Sequence, residues 1–147
     1  MLRIIVASDT ILKKDNKFLL VQESKEIAKG KWNLPGGRIE LEEDIISCTK
    51  REVEEETGIK TKPEYLVGIY QIWPKPKRNV IVFVFKSEIL SSKSISSEEI
   101  MDMKWLSLDE IKELNKKGLL RSSYVLKAIE DYIAKKKIPL EFINIQD

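Results

Sequence analysis

The chain has 147 residues with a formal net charge of +2 at pH 7, and 42% of its residues are hydrophobic while 34% are charged. This length predicts a single domain over residues 1–147, and the near balance of charge gives no sign of a specific nucleic-acid partner. The sequence contains no histidine and one cysteine, which excludes Ser-His-Asp and Cys-His catalysis and leaves oxygen ligands for a metal such as Mg²⁺, Mn²⁺ or Ca²⁺.

Two β-rich runs open the chain, at residues 2–12 and 18–22. The Lys-Lys-Asp-Asn-Lys segment between them has the composition of a hairpin loop, so we predict that the two runs pair as a hairpin. The first run lacks the charged flank and long apolar segment of a signal peptide, and no apolar run is long enough to cross a bilayer. We therefore expect a cytoplasmic protein with no membrane partner.

A loop and a helix follow the opening strands. The Trp-Asn-Leu-Pro-Gly-Gly segment at residues 32–37 predicts an irregular backbone that can approach a ligand closely, because proline and paired glycines disfavour regular structure. Residues 44–57 have helical periodicity with apolar residues on one side, and Gly58 is a suitable C-terminal stop. The other side of this predicted helix is rich in carboxylates.

The second half of the chain alternates between predicted strands and predicted helices. Residues 66–73 and 79–90 are strand-like, with a loop at 74–78 between them and a serine-rich loop at 91–97 after them. We predict four later elements: a short strand at 103–106, a helix at 107–114 that begins at a capping serine, an amphipathic helix at 121–135 and a last strand around 140–145. This mixture predicts an α/β fold, with a mixed β-sheet covered by helices.

Three carboxylates share one stripe of the first predicted helix, because Glu52, Glu55 and Glu56 are spaced at i, i+3 and i+4. Neighbouring charges about 6 Å apart repel by roughly 0.7 kcal/mol per pair even in water, so the arrangement favours a bound divalent cation. The alternative is a solvated helix face that Lys50 and Arg51 balance. The Pro-Gly-Gly loop just upstream favours the cation, because it supplies backbone groups beside the carboxylates.

The segment that contains this stripe resembles the Nudix box, G-x5-E-x7-R-E-U-x-E-E-x-G-U, in which U is a bulky apolar residue. Every fixed position of the box is matched, by Gly37, Glu43, Arg51, Glu52, Val53, Glu55, Glu56, Gly58 and Ile59. The W-x-L-P-G-G run from Trp32 and the W-L-S-L-D-E run from Trp105 are also similar to MutT-like Nudix domains. Glu42 is a small departure, since many relatives have glycine at that position.

The resemblance implies a Nudix hydrolase with the Nudix fold, an α/β/α sandwich with a mixed β-sheet and the loop-helix-loop Nudix box. Such an enzyme uses water to cut a phosphoanhydride bond in a nucleoside diphosphate linked to another group X, and its partner is a small nucleotide substrate. Nucleoside triphosphates, ADP-ribose, other nucleotide sugars and dinucleoside polyphosphates all remain open as substrates. The oligomeric state is expected to be a monomer or a homodimer.

Three other functions agree with parts of this pattern. A catalytically silent Nudix-fold nucleotide-binding module usually has a damaged box, whereas this box is complete. Isopentenyl-diphosphate isomerase shares the fold, but that family uses a catalytic cysteine and a histidine-rich metal site that this sequence lacks. A protein-interaction domain that uses its sheet edge stays open as an added role.

The resemblance also implies roles for the residues of the box. The expected ligands of Mg²⁺, or of Mn²⁺, are the carbonyl of Gly37 and the carboxylates of Glu52, Glu55 and Glu56. Arg51 and Glu43 form an internal brace. The metal polarises the phosphoryl group and activates the attacking water. The general base is Glu52 itself or a glutamate of a later loop, for which Glu98 and Glu99 are the candidates.

Further residues are candidates for contacting the substrate. Trp32, Tyr70 and Trp73 have faces on which a nucleobase can stack, although each also suits the core or the rim of the fold. Arg38, beside the box glycine, is a candidate for binding phosphate. The basic residues at 75–78 are a second candidate, against the alternative of a solvated hairpin tip.

Overall fold

The computed structural model describes residues 3–24, 29–74, 77–95 and 100–147 of the chain. Nine strands, three α-helices and one short 3₁₀ helix are assigned within these segments. In chain order they are β1 Arg3–Ile11, β2 Lys13–Lys14, β3 Lys17–Glu23, β4 Trp32–Asn33, β5 Gly36–Arg38, α1 Ile45–Thr57, β6 Ile59–Ile72, β7 Arg78–Ser92, β8 Ile100–Ser107, α2 Leu108–Lys116, α3 Tyr124–Ile133, β9 Ile138–Pro139 and the 3₁₀ helix Leu140–Phe142.

The strands form two sheets, and helices cover the larger one on both faces. The larger sheet has the order β5-β1-β7-β6-β9 and is mixed, because β1 and β7 run parallel while the other neighbours are antiparallel. In the second sheet, β3 pairs with β2, β4 and β8. One apolar cluster includes residues of α2 and α3, and a smaller one includes Val53 of α1. The predicted α/β sandwich with a mixed sheet is thus confirmed.

Helix α1 owes its two ends to local side-chain and backbone chemistry. The Asp44 carboxylate accepts a hydrogen bond of 2.8 Å from the backbone N–H of Ser47, which caps the start of the helix. At the other end Gly58 adopts a left-handed conformation with φ of 75°, and its N–H donates to the carbonyl of Glu54. A side chain at Gly58 would overlap the carbonyl of Lys93, so only glycine fits there. The predicted helix and its glycine stop are confirmed.

The predicted hairpin between the first two β-rich runs is wrong. Strand β1 pairs with β5 and β7 in the larger sheet, whereas β3 belongs to the second sheet. The chain crosses from one sheet to the other after the buried residue Leu12. Only the two residues of β2 form a hairpin with β3, through a turn in which Asp15 and Asn16 have φ of 50° and 61°.

Two other element boundaries differ from the prediction. Strand β6 begins at Ile59, well before the predicted start at residue 66. Its pairing with β7 is irregular near Pro63 and Gly68, and these irregularities interrupt the alternation of apolar and polar residues by which a strand is predicted from sequence. The predicted last strand at 140–145 is also wrong. Pairing with β6 is confined to Ile138 and Pro139, and a 3₁₀ helix follows.

No helix in the described segments combines the length and the apolar composition needed to span a membrane.

Candidate active site

A cleft of about 230 Å³ lies against the larger sheet, between strands β1, β5 and β7 and the carboxylate face of α1. Acidic, aliphatic and basic side chains all contribute to its wall. Aliphatic side chains of β1 and β7 form the middle. The acidic residues that line it are Asp9, Glu23, Glu52 and Glu56, and the basic residues are Arg38, Arg78 and Arg121.

Glu56 is the most deeply buried carboxylate of the box, with 8% of its surface exposed. The backbone N–H of Gly36 donates a hydrogen bond of 2.9 Å to its Oε1 atom. Burial raises the pKa of Glu56 well above its ordinary value, and the nearby carboxylates of Glu23, Glu52 and Asp9 raise it further. A positive charge in the cleft would therefore stabilise the ionised form of Glu56.

Glu52 lies directly against the glycine loop, and its side chain is only 14% exposed. A Cβ atom at Gly37 would overlap the carboxylate of Glu52, so the missing side chain is what lets the loop backbone approach the helix. The carbonyl of Gly37 also accepts a weak hydrogen bond of 3.7 Å from the Cys48 thiol. Burial raises the pKa of Cys48 to about 12, so this thiol stays protonated and serves as a donor.

Arg51 connects the loop of the box to its helix. Its Nε and Nη2 atoms donate to the two oxygens of Glu43 at 2.6 and 2.9 Å, a bidentate ion pair. Its Nη1 atom donates to Glu52 at 2.7 Å and to Glu55 at 3.2 Å, and Nη2 also reaches the carbonyl of Arg38 at 3.2 Å. These hydrogen bonds hold the pKa of Glu43 down at about 2. One guanidinium thus joins four residues of the box region.

The three glutamates of the predicted stripe do not share one environment. Glu52 and Glu56 line the cleft, whereas the side chain of Glu55 is 58% exposed and lies beside Arg51. Within the described segments no three acidic side chains converge closely enough to enclose a cation. Glu52 and Glu56 nevertheless fit a hard cation, because both are oxygen donors shielded from solvent, and because burial and, to a smaller extent, nearby carboxylates raise the pKa of Glu56.

Asp9 is a cleft residue that the sequence-based reasoning missed. It is 3% exposed, and its Oδ2 atom accepts a hydrogen bond of 2.5 Å from the hydroxyl of Tyr124, which also lies 3.1 Å from Oδ1 of Asn33. Burial raises the pKa of Asp9 to about 7, against the lowering effect of the Tyr124 hydrogen bond. The one signal in the sequence was that Asp9 is the only acidic residue of strand β1.

The three aromatic residues predicted to stack on a nucleobase do not line the cleft. Trp32 is 7% exposed and belongs to the larger apolar cluster. Tyr70 donates a hydrogen bond of 2.7 Å to Asp131 and packs against Tyr124. Trp73 is 70% exposed but lies outside the cleft wall. The side chains that surround the cleft are mainly charged or aliphatic.

The remaining predicted site residues fall into three groups: those in the cleft, those outside the described residues, and Lys77, which is exposed and does not line the cleft. Arg38 and Arg78 line the cleft. Glu98 and Glu99, the predicted alternatives for the general base, lie outside the described residues, as does Lys75 of the predicted basic loop.

Comparisons with known proteins agree on one family. A family model described as the NUDIX domain matches residues 3–128. The phosphatase NudJ of Escherichia coli (strain K12) is 30% identical over 136 residues, which are 91% of this chain and 86% of that protein. A NUDIX hydrolase structure from Nitrosomonas europaea has a TM-score of 0.86 and 33% identity, covering 99% of this chain and 98% of that one. A MutT protein structure from Methanosarcina mazei Go1 has a TM-score of 0.76 and 27% identity, covering 92% and 98%.

Proposed function

Because the chain belongs to the NUDIX family and is a Nudix hydrolase, we propose that it is a Mg²⁺-dependent pyrophosphohydrolase. Its substrate is a nucleoside diphosphate linked to a further group X, and the bond that it cuts is a phosphoanhydride. Mn²⁺ is the expected substitute for Mg²⁺. We expect the enzyme to act in the cytoplasm as a monomer or a homodimer.

The observation that carries this proposal is the burial of Glu56 beside Glu52 at the Gly36-Gly37 loop. Glu56 is shielded from water and has other carboxylates nearby, so it is costly to keep ionised without a nearby cation. The pKa of Glu56 is raised for that reason. A solvated helix face, the alternative reading of the stripe, would leave both side chains in water.

Glu52, Glu56 and the carbonyl of Gly37 would hold the metal, and Glu55 would join them only if its exposed side chain leaves Arg51. When bound there, Mg²⁺ supplies a Lewis acid that neutralises charge developing on the phosphoryl oxygens. Arg51 and Glu43 act as positioning residues, because their bidentate ion pair fixes the guanidinium that hydrogen-bonds Glu52 and Glu55.

Glu52 is the proposed general base. Its helix backbone and the hydrogen bond from Arg51 to its Oε1 atom hold the carboxylate at the cleft wall, so it can accept a proton from water without a conformational change. Glu98 and Glu99 are the alternatives. They remain candidates for the general base because Glu52 is also a proposed metal ligand, and a carboxylate that binds a metal is a weaker base.

Arg38 is the proposed phosphate contact nearest the reaction. It follows Gly37 directly and lines the cleft, and its backbone carbonyl is anchored by Arg51. A guanidinium binds phosphate oxygens through two parallel N–H donors, so it can orient the diphosphate for attack.

The alternative function is nucleotide binding without hydrolysis. Release of a nucleoside mono- or diphosphate from ATP, ADP-ribose, a nucleotide sugar and a diadenosine polyphosphate, followed by chromatography with Mg²⁺ or with excess chelator, separates the two. We expect Mg²⁺-dependent release from at least one of them, and loss of it in Glu56→Gln but not in Glu54→Gln, an exposed glutamate on the same helix. Binding of these compounds with no release at any Mg²⁺ concentration would favour the silent module.

A further inference from the structure

Most arginine residues of this chain lie at or near the cleft. Lysine and arginine total 26, but only five of them are arginine. Arg51 braces the box. The other four lie together, because Arg38, Arg78 and Arg121 line the cleft and Arg3 is the register partner of Arg78 on the neighbouring strand. A planar guanidinium differs from lysine in binding phosphate oxygens bidentately, so this distribution indicates a site for a phosphate-like anion.

The side chain of Arg78 is poised to bind an anion. Its Nε atom is buried and has no hydrogen-bond partner. Desolvation lowers its pKa, and the positive charges of Arg121, Arg38 and Arg3 lower it further. Among the described residues no carboxylate lies within ion-pair distance of Arg38, Arg78 or Arg121. Clustered cations with a desolvated donor and no counter-ion are stabilised by a bound anion.

Arg78 and the carboxylates occupy different ends of the same wall. In the parallel register of β1 and β7, Asp9 pairs with Val84 and Arg3 pairs with Arg78. Six residues of strand separate these two rows, which is about 20 Å of backbone. The rows between them that face the cleft carry only aliphatic side chains, namely Ile5 and Val80, then Ala7 and Val82. Arg38 of strand β5 is the register partner of Ala7, so it lies between the row of Asp9 and the row of Arg78.

This order along the wall matches a substrate with three parts: a diphosphate at the acidic end, an organic segment on the aliphatic rows, and a further anion at the arginines. We propose that Arg78 and Arg121 form a subsite for a phosphate group other than the two that flank the cut bond. The substrate class is then nucleoside diphosphate derivatives that carry a third phosphate on the nucleoside, separated from the diphosphate by the ribose. This inference rests on the proposed function of the acidic end.

Matched pairs of ligands test the subsite directly. NAD⁺ and NADP⁺ share a central diphosphate and differ by one phosphate on the adenosine ribose. We expect the protein in excess chelator to bind NADP⁺ about tenfold or more tightly than NAD⁺ by isothermal titration calorimetry, because one guanidinium-phosphate contact is worth at least that much. Equal affinity for the two ligands would overturn the proposal, whatever the variants do.

Variants assign the preference to the arginines. Arg78→Gln and Arg121→Gln should each lose most of the difference between NADP⁺ and NAD⁺, while the affinity for NAD⁺ changes less than threefold. Lys62→Gln is the matched control, since it removes one positive charge from an exposed position of β6 outside the cleft. A preference that persists in both arginine variants, at unchanged thermal unfolding temperature, would refute the subsite. Because the preference is a ratio of binding affinities and not of rates, a failure of the proposed catalysis does not change how this measurement is interpreted.

Discussion

Replacing Glu43 with glutamine tests the physical basis of the box, because Glu43 ties the loop to helix α1 through Arg51. The Glu43 carboxylate accepts hydrogen bonds of 2.6 and 2.9 Å from the guanidinium, and its side chain is only 13% exposed. These contacts lower its pKa from an ordinary value of 4.5 to about 2. Glutamine keeps the shape of the side chain and one acceptor oxygen, but it loses the charge.

The size of the effect follows from this pKa. Each pKa unit corresponds to about 1.4 kcal/mol, so a fall from 4.5 to about 2 sets an upper bound of about 3.5 kcal/mol on the stability gained from ionising Glu43. Arg51 remains 24% exposed and keeps its contacts with Glu52 and Glu55, so we expect Glu43→Gln to lower the free energy of unfolding by about 1 to 2 kcal/mol at pH 7. A lowered carboxylate pKa stabilises the fold above pH 4.5, and this contribution is lost as the pH falls towards 2.

Urea denaturation in the presence of chelator measures both effects. The difference between the wild type and Glu43→Gln should be largest at pH 7 and should shrink between pH 5 and pH 3, as the wild type loses the contribution of the charge. Glu54→Gln, an exposed change on the same helix, should have little effect at any pH. If Glu43→Gln unfolds at the wild-type urea concentration at pH 7, or if the difference does not depend on pH, the ion pair does not stabilise the box.

Three further predictions concern activity. Glu56→Gln should lower kcat by about a hundredfold or more in a steady-state assay, because it removes a proposed metal ligand. The protein should stay folded, because burial already disfavours the charged form of Glu56. An unchanged kcat would mean that Glu56 binds no metal. Gly37→Ala should also reduce activity strongly, since the new methyl group displaces the carboxylate of Glu52, and wild-type turnover would show that the close approach is not needed. In pH-rate profiles at saturating Mg²⁺, Glu52→Gln should lose the acidic limb and most of kcat. If Glu98→Gln or Glu99→Gln alone does so, the general base lies in the later loop.

Helix α1 and its chemistry were accessible from the sequence because all their determinants are local. The spacing of the glutamates, the cap at Asp44 and the glycine stop at Gly58 all fall within one short segment. The pairing of the strands was less accessible. A hairpin between the first two β-rich runs agrees with local turn chemistry, but the parallel partner of β1 is β7, more than seventy residues later. No local pattern specifies such a pairing.

The residues proposed to contact the substrate were also difficult to predict from the sequence. Trp32 and Tyr70 have the residue type of a stacking platform, yet one is in the core and the other is hydrogen-bonded to Asp131. Residue type alone does not distinguish these environments. Asp9 and Arg121 reach the cleft only because β1 and the segment before α3 are adjacent in the fold. Their roles depend on tertiary contacts that the sequence does not display.

Direct measurement of metal binding tests the central claim, that the buried carboxylates of the box hold a divalent cation. Titrating Mn²⁺ into the protein and following free Mn²⁺ by electron paramagnetic resonance requires neither substrate nor turnover. We expect saturable binding to the wild type and to Glu54→Gln, and an affinity about tenfold or more lower in Glu56→Gln. Equal binding by the wild type and Glu56→Gln, or no saturable binding by either, would contradict the account.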